Sequence, residues 1–310
     1  MKRVLLGANA HVELAEFIRE RRPDLDVRGA RYTDITGEQL AWAEAYVGFK
    51  RPPAAVTMGA VRWVHCTGAG VDSWLAPPGL DADILLTRTS EPFGPMIAEW
   101  AAARILAFQQ QLLDVAKAQE EHRWAPRDIP RVAGTRALVV GTGEVGSAVA
   151  TLLRALGCEV IGVSRTRRST SPAFSAIHAV EALGSLVGDA QWIVLTLPLT
   201  PATRGLFSRD LMSRCHGAVL LNAGRGAVVE ERAIPEALDQ GWLRGAALDV
   251  FEVEPLPADS PLWSEPRVIV SPHISGLTTI GGAGTGFLEC LTAIERGERP
   301  RWVVDRNSGY

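Results

Sequence analysis

Cysteine is scarce in this chain of 310 residues, and the four present, Cys66, Cys158, Cys215 and Cys290, stand far apart with no C-x-x-C pair and no histidine at zinc-ligand spacing. That excludes a disulfide framework and the common zinc motifs, so reduced thiols in a cytoplasmic protein without a metal are expected. Long apolar runs are also missing. None reaches membrane-spanning length, and the apolar stretch within Met1–Gly7 is too short for a signal peptide. Charge of one sign does not dominate either. A formal net charge of -3 makes no broad positive field, so neither nucleic acid nor membrane is expected as a partner, and any bound anion must be held by a few local groups in a pocket. Internal repeats and low-complexity tracts are absent. What is present is ordinary globular material, 47% hydrophobic and 22% charged. The chain is longer than one core usually serves, which points to two domains or one domain built around another.

Short apolar runs alternate with longer stretches of helical period, the pattern of parallel strands joined by helices, so the fold class is α/β. Strands are expected near Val4–Gly7, Ala45–Phe49, Val61–Cys66 and Ile84–Thr87, with a helix at about His11–Arg22. From Pro95 to about Glu121 a segment rich in Ala, Leu and Gln has no internal proline or glycine and reads as one long connecting helix. The linker His122–Gly134 then leads to six more strands, at about Arg136–Val140, Glu159–Val163, Trp192–Leu197, Ala218–Asn222, Ala246–Asp249 and Val268–Ser271, which suggests a doubly wound domain. A glycine-rich stretch, Gly276–Gly286, precedes a final helix around Phe287–Arg296 that could return to the first domain. Trp63, Trp74 and Trp100 read as core or interface residues, and His11, His65, His122, His178 and His216 are given no chemical role.

The apolar strand Arg136–Val140 runs into Gly141-Thr142-Gly143-Glu144-Val145-Gly146 and then a helix, Ser147–Leu156. Glycines spaced as G-x-G-x-x-G permit a tight turn and close approach of backbone to a pyrophosphate, while the helix N-terminus offers N–H groups to the anion. The motif alone is weak, but here strand, helix and next strand all fall where a dinucleotide fold needs them. That next strand ends at Val163-Ser164-Arg165-Thr166-Arg167-Arg168, where an NAD-binding chain would normally carry an acid for the ribose 2′-hydroxyl. No acid is there. A hydroxyl and guanidinium groups donate to a 2′-phosphate that a carboxylate would repel, so NADP(H) is the expected cofactor, with Ser164, Arg165, Thr166 and Arg168 nearest the phosphate.

Three further strands end in side chains suited to chemistry: Asn222-Ala223-Gly224-Arg225-Gly226, Asp249-Val250-Phe251-Glu252-Val253-Glu254-Pro255 and Ser271-Pro272-His273. Arg, Glu and His therefore emerge at one edge of one sheet, where ligands bind in such folds. Motifs G-T-G-E-V-G, N-A-G-R-G, D-V-F-E-V-E-P and S-P-H-I-S-G-L-T, in this order, together with T-G-A-G-V-D at Thr67–Asp72, resemble the D-isomer-specific 2-hydroxyacid dehydrogenases over nearly the whole chain. S-R-T-R-R and the ending V-D-R-N-S-G-Y look most like the NADPH-preferring glyoxylate/hydroxypyruvate reductase A group. The resemblance implies two doubly wound parallel-sheet domains, a Rossmann-type NADP-binding domain at 98–275 inserted into a flavodoxin-like substrate domain formed by 1–97 and 276–310, and a homodimer.

It further implies reduction of a small 2-keto acid, with Arg225 on the substrate carboxylate and carbonyl, His273 as proton donor and Glu254 as the neighbour that fixes its tautomer. Histidine is the side chain most easily poised for proton transfer near neutral pH, and a guanidinium fork matches a carboxylate. Backbone N–H groups of Ala69 and Gly70 would complete the carboxylate site, Asp249 would meet the nicotinamide carboxamide, and Leu197, Pro198, Ala223 and Gly224 would lie beside the cofactor. Trp124 is expected at a dimer interface. Two other readings stay open, a dehydrogenase of the same fold with another 2-hydroxy acid and a nucleotide-sensing interaction protein, since both share these motifs.

Overall fold

The structure, a computed structural model, describes residues 1–53, 57–76, 79–89, 92–166 and 171–306. The chain divides into two compact units, Met1–Glu91 with Leu277–Tyr310, and Pro92–Gly276.

In the first unit β1 (Arg3–Gly7), β2 (Asp26–Ala30), β3 (Ala45–Val47), β4 (Trp63–Cys66) and β5 (Leu85–Arg88) form a parallel sheet in the order β2-β1-β3-β4-β5, the flavodoxin-like order. Helices α1 (His11–Arg21), α2 (Gly37–Trp42) and α3 (Asp72–Leu75) connect the strands. Of the five, β2 is the one that sequence pattern does not reveal, because in Asp-Val-Arg-Gly-Ala only Val27 is buried, as suits an edge strand. The C-terminal helix, Ile280–Glu295, starts earlier than its apolar pattern suggests and takes in most of the glycine-rich stretch. Thr279 Oγ1 caps it by accepting from Gly282 N–H at 2.9 Å. A Cβ on Gly284 would lie 2.2 Å from the Phe17 ring, so glycine lets this helix close on α1.

The second unit opens with α4 (Phe93–Gln109) and α5 (Leu112–Glu120). One continuous helix was the sequence expectation, but Gln111 takes a left-handed φ of 52° and breaks it. Its amide donates to Asp128 O and accepts from Arg127, so contacts with the following linker override local helix propensity. On α4, Ile97, Trp100, Ala101 and Ile105 share a core with Ala137, Val139, Val149 and Leu153. The boundary between the compact units precedes α4, at Pro92, whereas the sequence reading places it at 98.

Seven strands, β6 (Arg136–Val140), β7 (Glu159–Val163), β8 (Ala176–His178), β9 (Trp192–Leu195), β10 (Ala218–Asn222), β11 (Leu243–Leu248) and β12 (Val268–Val270), pair in parallel in the order β12-β11-β10-β9-β6-β7-β8. The first six in sequence thus take the dinucleotide-binding order, with β12 added at one edge. The short β8, half-buried throughout, is the strand missing from the sequence reading. In contrast, every residue of β9 and β10 is buried, as a sheet covered on both faces requires. Helix α6 (Glu144–Ala155) links β6 to β7, and α7 (Leu183–Leu186), α8 (Arg209–Met212) and α9 (Ile234–Asp239) serve the later crossovers. Among the described residues no helix is long and apolar enough to cross a membrane.

Candidate active site

Strand β6 and its turn build the first part of the site. Gly141 donates its N–H to Val163 O at 2.8 Å and takes a φ of 110°, which a side chain would strain. Helix α6 begins three residues on, and a Cβ on Gly146 would sit 1.8 Å from Gly141 O, so only glycine lets the helix press against the turn. Thr196, which follows β9, holds the turn by hydrogen bonding to Val140 O and Gly141 O at 3.3 and 3.2 Å. Sequence reasoning missed it because a lone threonine after an apolar strand carries no signal. Thr142 is buried, Gly143 and Glu144 are exposed, and Val145 is half-buried. A Cβ on Gly143 would meet nothing within 4 Å. Open space therefore lies at the amino end of α6, where the first N–H groups have no partner within the helix. Such a cradle fits a pyrophosphate.

At the end of β7 Ser164 donates its N–H to His178 O on β8, at 3.0 Å. Its hydroxyl oxygen is shut off from solvent and has no hydrogen-bond partner among the described residues. Buried polar atoms are nearly always satisfied, so this orphan fits a site that receives an acceptor from outside the chain. Arg165 and Thr166 follow with exposed side chains. Arg167 and Arg168 lie outside the described residues. The residues that are described suit a phosphorylated dinucleotide at both points where the motif requires it.

The catalytic candidates sit at the carboxyl ends of β10, β11 and β12. Asn222 closes β10 and brackets the next turn, its Oδ1 accepting from Gly224 N–H at 3.1 Å and its Nδ2 donating to Arg225 O at 3.0 Å. An asparagine followed by a glycine turn is a legible Asx signal. Arg225 is half-buried and donates to Gly224 O at 2.7 Å. A Cβ on Gly224 would come 2.6 Å from Leu197 O, so Ala223-Gly224 and Leu197-Pro198 lie side by side. Beyond β11, Glu254 Oε2 meets His273 Nδ1 at 2.8 Å while Oε1 accepts from Phe251 N–H at 3.1 Å. Burial alone would raise the Glu254 carboxyl. The hydrogen bonds from His273 and Phe251 N–H, with the charges of His273 and Arg225, outweigh that and hold it below the usual carboxylate range. Both side chains keep about a third of their surface open, 36% for His273 and 34% for Glu254. An ionised carboxylate on Nδ1 leaves Nε2 as the position for proton transfer.

The structure therefore brings Glu254 and His273 into direct contact and puts Arg225 within electrostatic reach. Ala69 and Gly70 belong to the other unit, in the loop after β4, where the Cys66 thiol donates to Gly70 O at 3.3 Å. Asp249 directly follows β11. Its side chain has no exposed surface, and its two oxygens take donors from Ser271, Ile274 and Ser275. Trp63, Trp74 and Trp100 are all buried, and His65 is fully enclosed between Thr87 and Thr89.

Comparison with known proteins agrees with this geometry. The model of the D-isomer specific 2-hydroxyacid dehydrogenase NAD-binding domain matches residues 102–275. Glyoxylate/hydroxypyruvate reductase A of Escherichia fergusonii is 34% identical over 303 residues, 94% of each chain. A D-isomer specific 2-hydroxyacid dehydrogenase of Xanthobacter autotrophicus Py2, solved with NADPH and MES, is 32% identical with a TM-score of 0.89, covering 100% of this chain and 99% of that one. The NADPH-dependent glyoxylate/hydroxypyruvate reductase of Sinorhizobium meliloti, solved with NADP and sulfate, is 29% identical with a TM-score of 0.88 over the whole of both chains. A family match over more than half of the sequence, and identity of about a third along nearly all of it, decide membership: this chain belongs to the D-isomer specific 2-hydroxyacid dehydrogenases, NAD(P)-dependent oxidoreductases, and within them is similar to the glyoxylate/hydroxypyruvate reductase A group.

Proposed function

We propose that the enzyme reduces a small 2-keto acid of the glyoxylate or hydroxypyruvate type to the 2-hydroxy acid, using NADPH, with His273 as the proton donor. The observation that carries this reading is the Glu254–His273 pair at 2.8 Å, at the same sheet edge as Arg225 and the glycine turn. The names of the Escherichia and Sinorhizobium relatives support the substrate class, and the NADPH and NADP bound to solved relatives support the cofactor.

Under this reading Pro92–Gly276 is the NADP-binding domain and Met1–Glu91 with Leu277–Tyr310 the substrate domain. Gly141–Gly146 would hold the pyrophosphate, while Ser164, Arg165 and Thr166 would receive the 2′-phosphate. When bound, reduced nicotinamide would supply the hydride for the carbonyl carbon. Arg225 grips the substrate carboxylate, and its charge stabilises the negative charge that develops on the carbonyl oxygen. His273 gives that oxygen a proton from Nε2, and Glu254 compensates the imidazolium before transfer and fixes the ring's orientation. The enzyme acts as a homodimer in the cytoplasm. Trp124, 94% exposed, and the exposed Leu112, Leu113, Val115 and Ile129 offer a surface for a second copy to cover.

Turnover with NADPH of glyoxylate, hydroxypyruvate, pyruvate and a bulky aromatic 2-keto acid tests the reading. Preference for the first two is expected. No oxidation of NADPH with any 2-keto acid would overturn it in favour of a nucleotide-sensing protein, and preference for the aromatic substrate would overturn the substrate class.

A further inference from the structure

His273 holds a backbone conformation that histidine seldom adopts, with φ at 54° in the left-handed region. Its surroundings over-determine that shape. The His273 N–H donates to Asp249 O at 2.8 Å and to Ser271 O at 3.1 Å. The next two N–H groups, of Ile274 and Ser275, donate to the Asp249 carboxylate at 3.0 and 2.8 Å. Ser271 Oγ donates to the same carboxylate at 2.6 Å and accepts from Trp100 Nε1 at 3.0 Å, both bonds being buried. One turn along α4 from Trp100, the Arg104 guanidinium lies 4.8 Å over the indole ring, and its charge acts on Asp249. Arg104 Nε is buried without a hydrogen-bond partner among the described residues. A carboxylate with no exposed surface needs compensation from inside the protein, and three donors and one nearby cation supply it.

The chain of contacts thus runs from the α4 core, through Trp100 and Ser271, to the carboxylate that grips the loop on both sides of His273. We propose that Trp100 and Ser271 are positioning residues for proton transfer: acting through Asp249, they hold His273 where Glu254 can orient it. This rests on His273 being the proton donor. Neither residue belongs to the Arg225, Glu254 and His273 set, and Trp100 is not called on to touch substrate. Its indole packs in the core, with its N–H as the single polar link to the loop.

Ser271→Ala removes both buried bonds at once. Misplacement of a reacting group lowers turnover without weakening binding, so kcat should fall by about tenfold to a hundredfold while the KM for the keto acid and the Kd for NADPH stay within about twofold. Ser271→Thr, which keeps the hydroxyl, should recover most of the loss. Trp100→Phe keeps a ring beneath Arg104 and removes the donor together with part of the indole's bulk, and a smaller loss of about three- to tenfold is expected. Because the effect passes through His273, Ser271→Ala should add little in a His273→Ala background. Fully multiplicative losses in that double variant, unchanged kcat in Ser271→Ala, or an equal loss of NADPH affinity would each overturn the relay. Should Ser271→Ala fail to fold, Trp100→Phe alone and combined with His273→Ala decides by the same criteria. Wild-type turnover in His273→Ala defeats the proton-donor reading, whereas its loss in His273→Ala with no effect of Ser271→Ala or Trp100→Phe defeats the relay alone.

Discussion

Ser164→Ala separates a cofactor contact from a structural one, because the hydroxyl it removes is buried and has no hydrogen-bond partner among the described residues. Deleting an unsatisfied buried hydroxyl relieves a desolvation cost, so the variant without cofactor should melt at the same temperature as the parent or slightly higher. A serine hydroxyl has three staggered positions from which to meet an acceptor. If it donates to the 2′-phosphate, the bond is charge-assisted and worth about 1.5–3 kcal/mol, so NADPH affinity should fall by about ten- to a hundredfold. NADH carries no 2′-phosphate and should bind as before. A tenfold rise in Kd at fixed, saturating NADPH removes about 1.4 kcal/mol of ligand stabilisation, which for a protein of this size lowers the melting temperature by about 2 °C relative to the liganded parent. Calorimetric titration with both cofactors, and thermal melts with and without NADPH, measure all of these quantities. Equal losses for NADPH and NADH, or a lower melting temperature without cofactor, would refute the reasoning, the first by removing phosphate recognition and the second by giving the hydroxyl an internal role.

His273→Ala should lower turnover by about 10²–10⁴-fold with NADPH affinity nearly intact, and single-turnover kinetics would show whether the loss lies in chemistry. Glu254→Gln removes the carboxylate that meets His273 Nδ1 at 2.8 Å and orients the ring, so turnover should fall by about tenfold or more with NADPH affinity unchanged; parental turnover would count against the pairing. Complete burial pushes the His65 imidazole down to about 3, well below the unfolded value of about 6.5. The unfolded chain therefore takes up a proton that the fold refuses, stability is whole above about pH 6.5 and is lost as pH falls, and this group alone costs about 2 kcal/mol at pH 5. Guanidinium unfolding of the parent and of His65→Gln at pH 7.5 and pH 5 checks it: the parent should lose more on acidification by about that amount, and equal losses would contradict the assignment.

Much of this architecture was legible because it rests on local chemistry. Strands β6, β7 and β10 lie on their apolar runs, since a strand buried on both faces must be apolar along most of its length. The turn from Gly141 to Gly146 announces itself because only glycine tolerates its backbone and its contact with α6. Arg225, Glu254 and His273 were recognisable as residues of the right kind at strand ends. Their meeting was not, because Glu254 and His273 reach 2.8 Å only after β11 and β12 are paired. Where tertiary contacts compete with local preference, sequence misleads. Gln111 breaks a helix its neighbours would continue, the glycines after Thr279 turn helical to pack on α1, and β2 and β8 are strands by virtue of their partners. The orphaned hydroxyl of Ser164 and the enclosure of Asp249 exist only in three dimensions. So does the bond from Trp100 to Ser271, which joins groups 171 residues apart. Composition and pattern decide which side chains are buried and which turns are possible, while the distance between two polar atoms depends on every element packed between them.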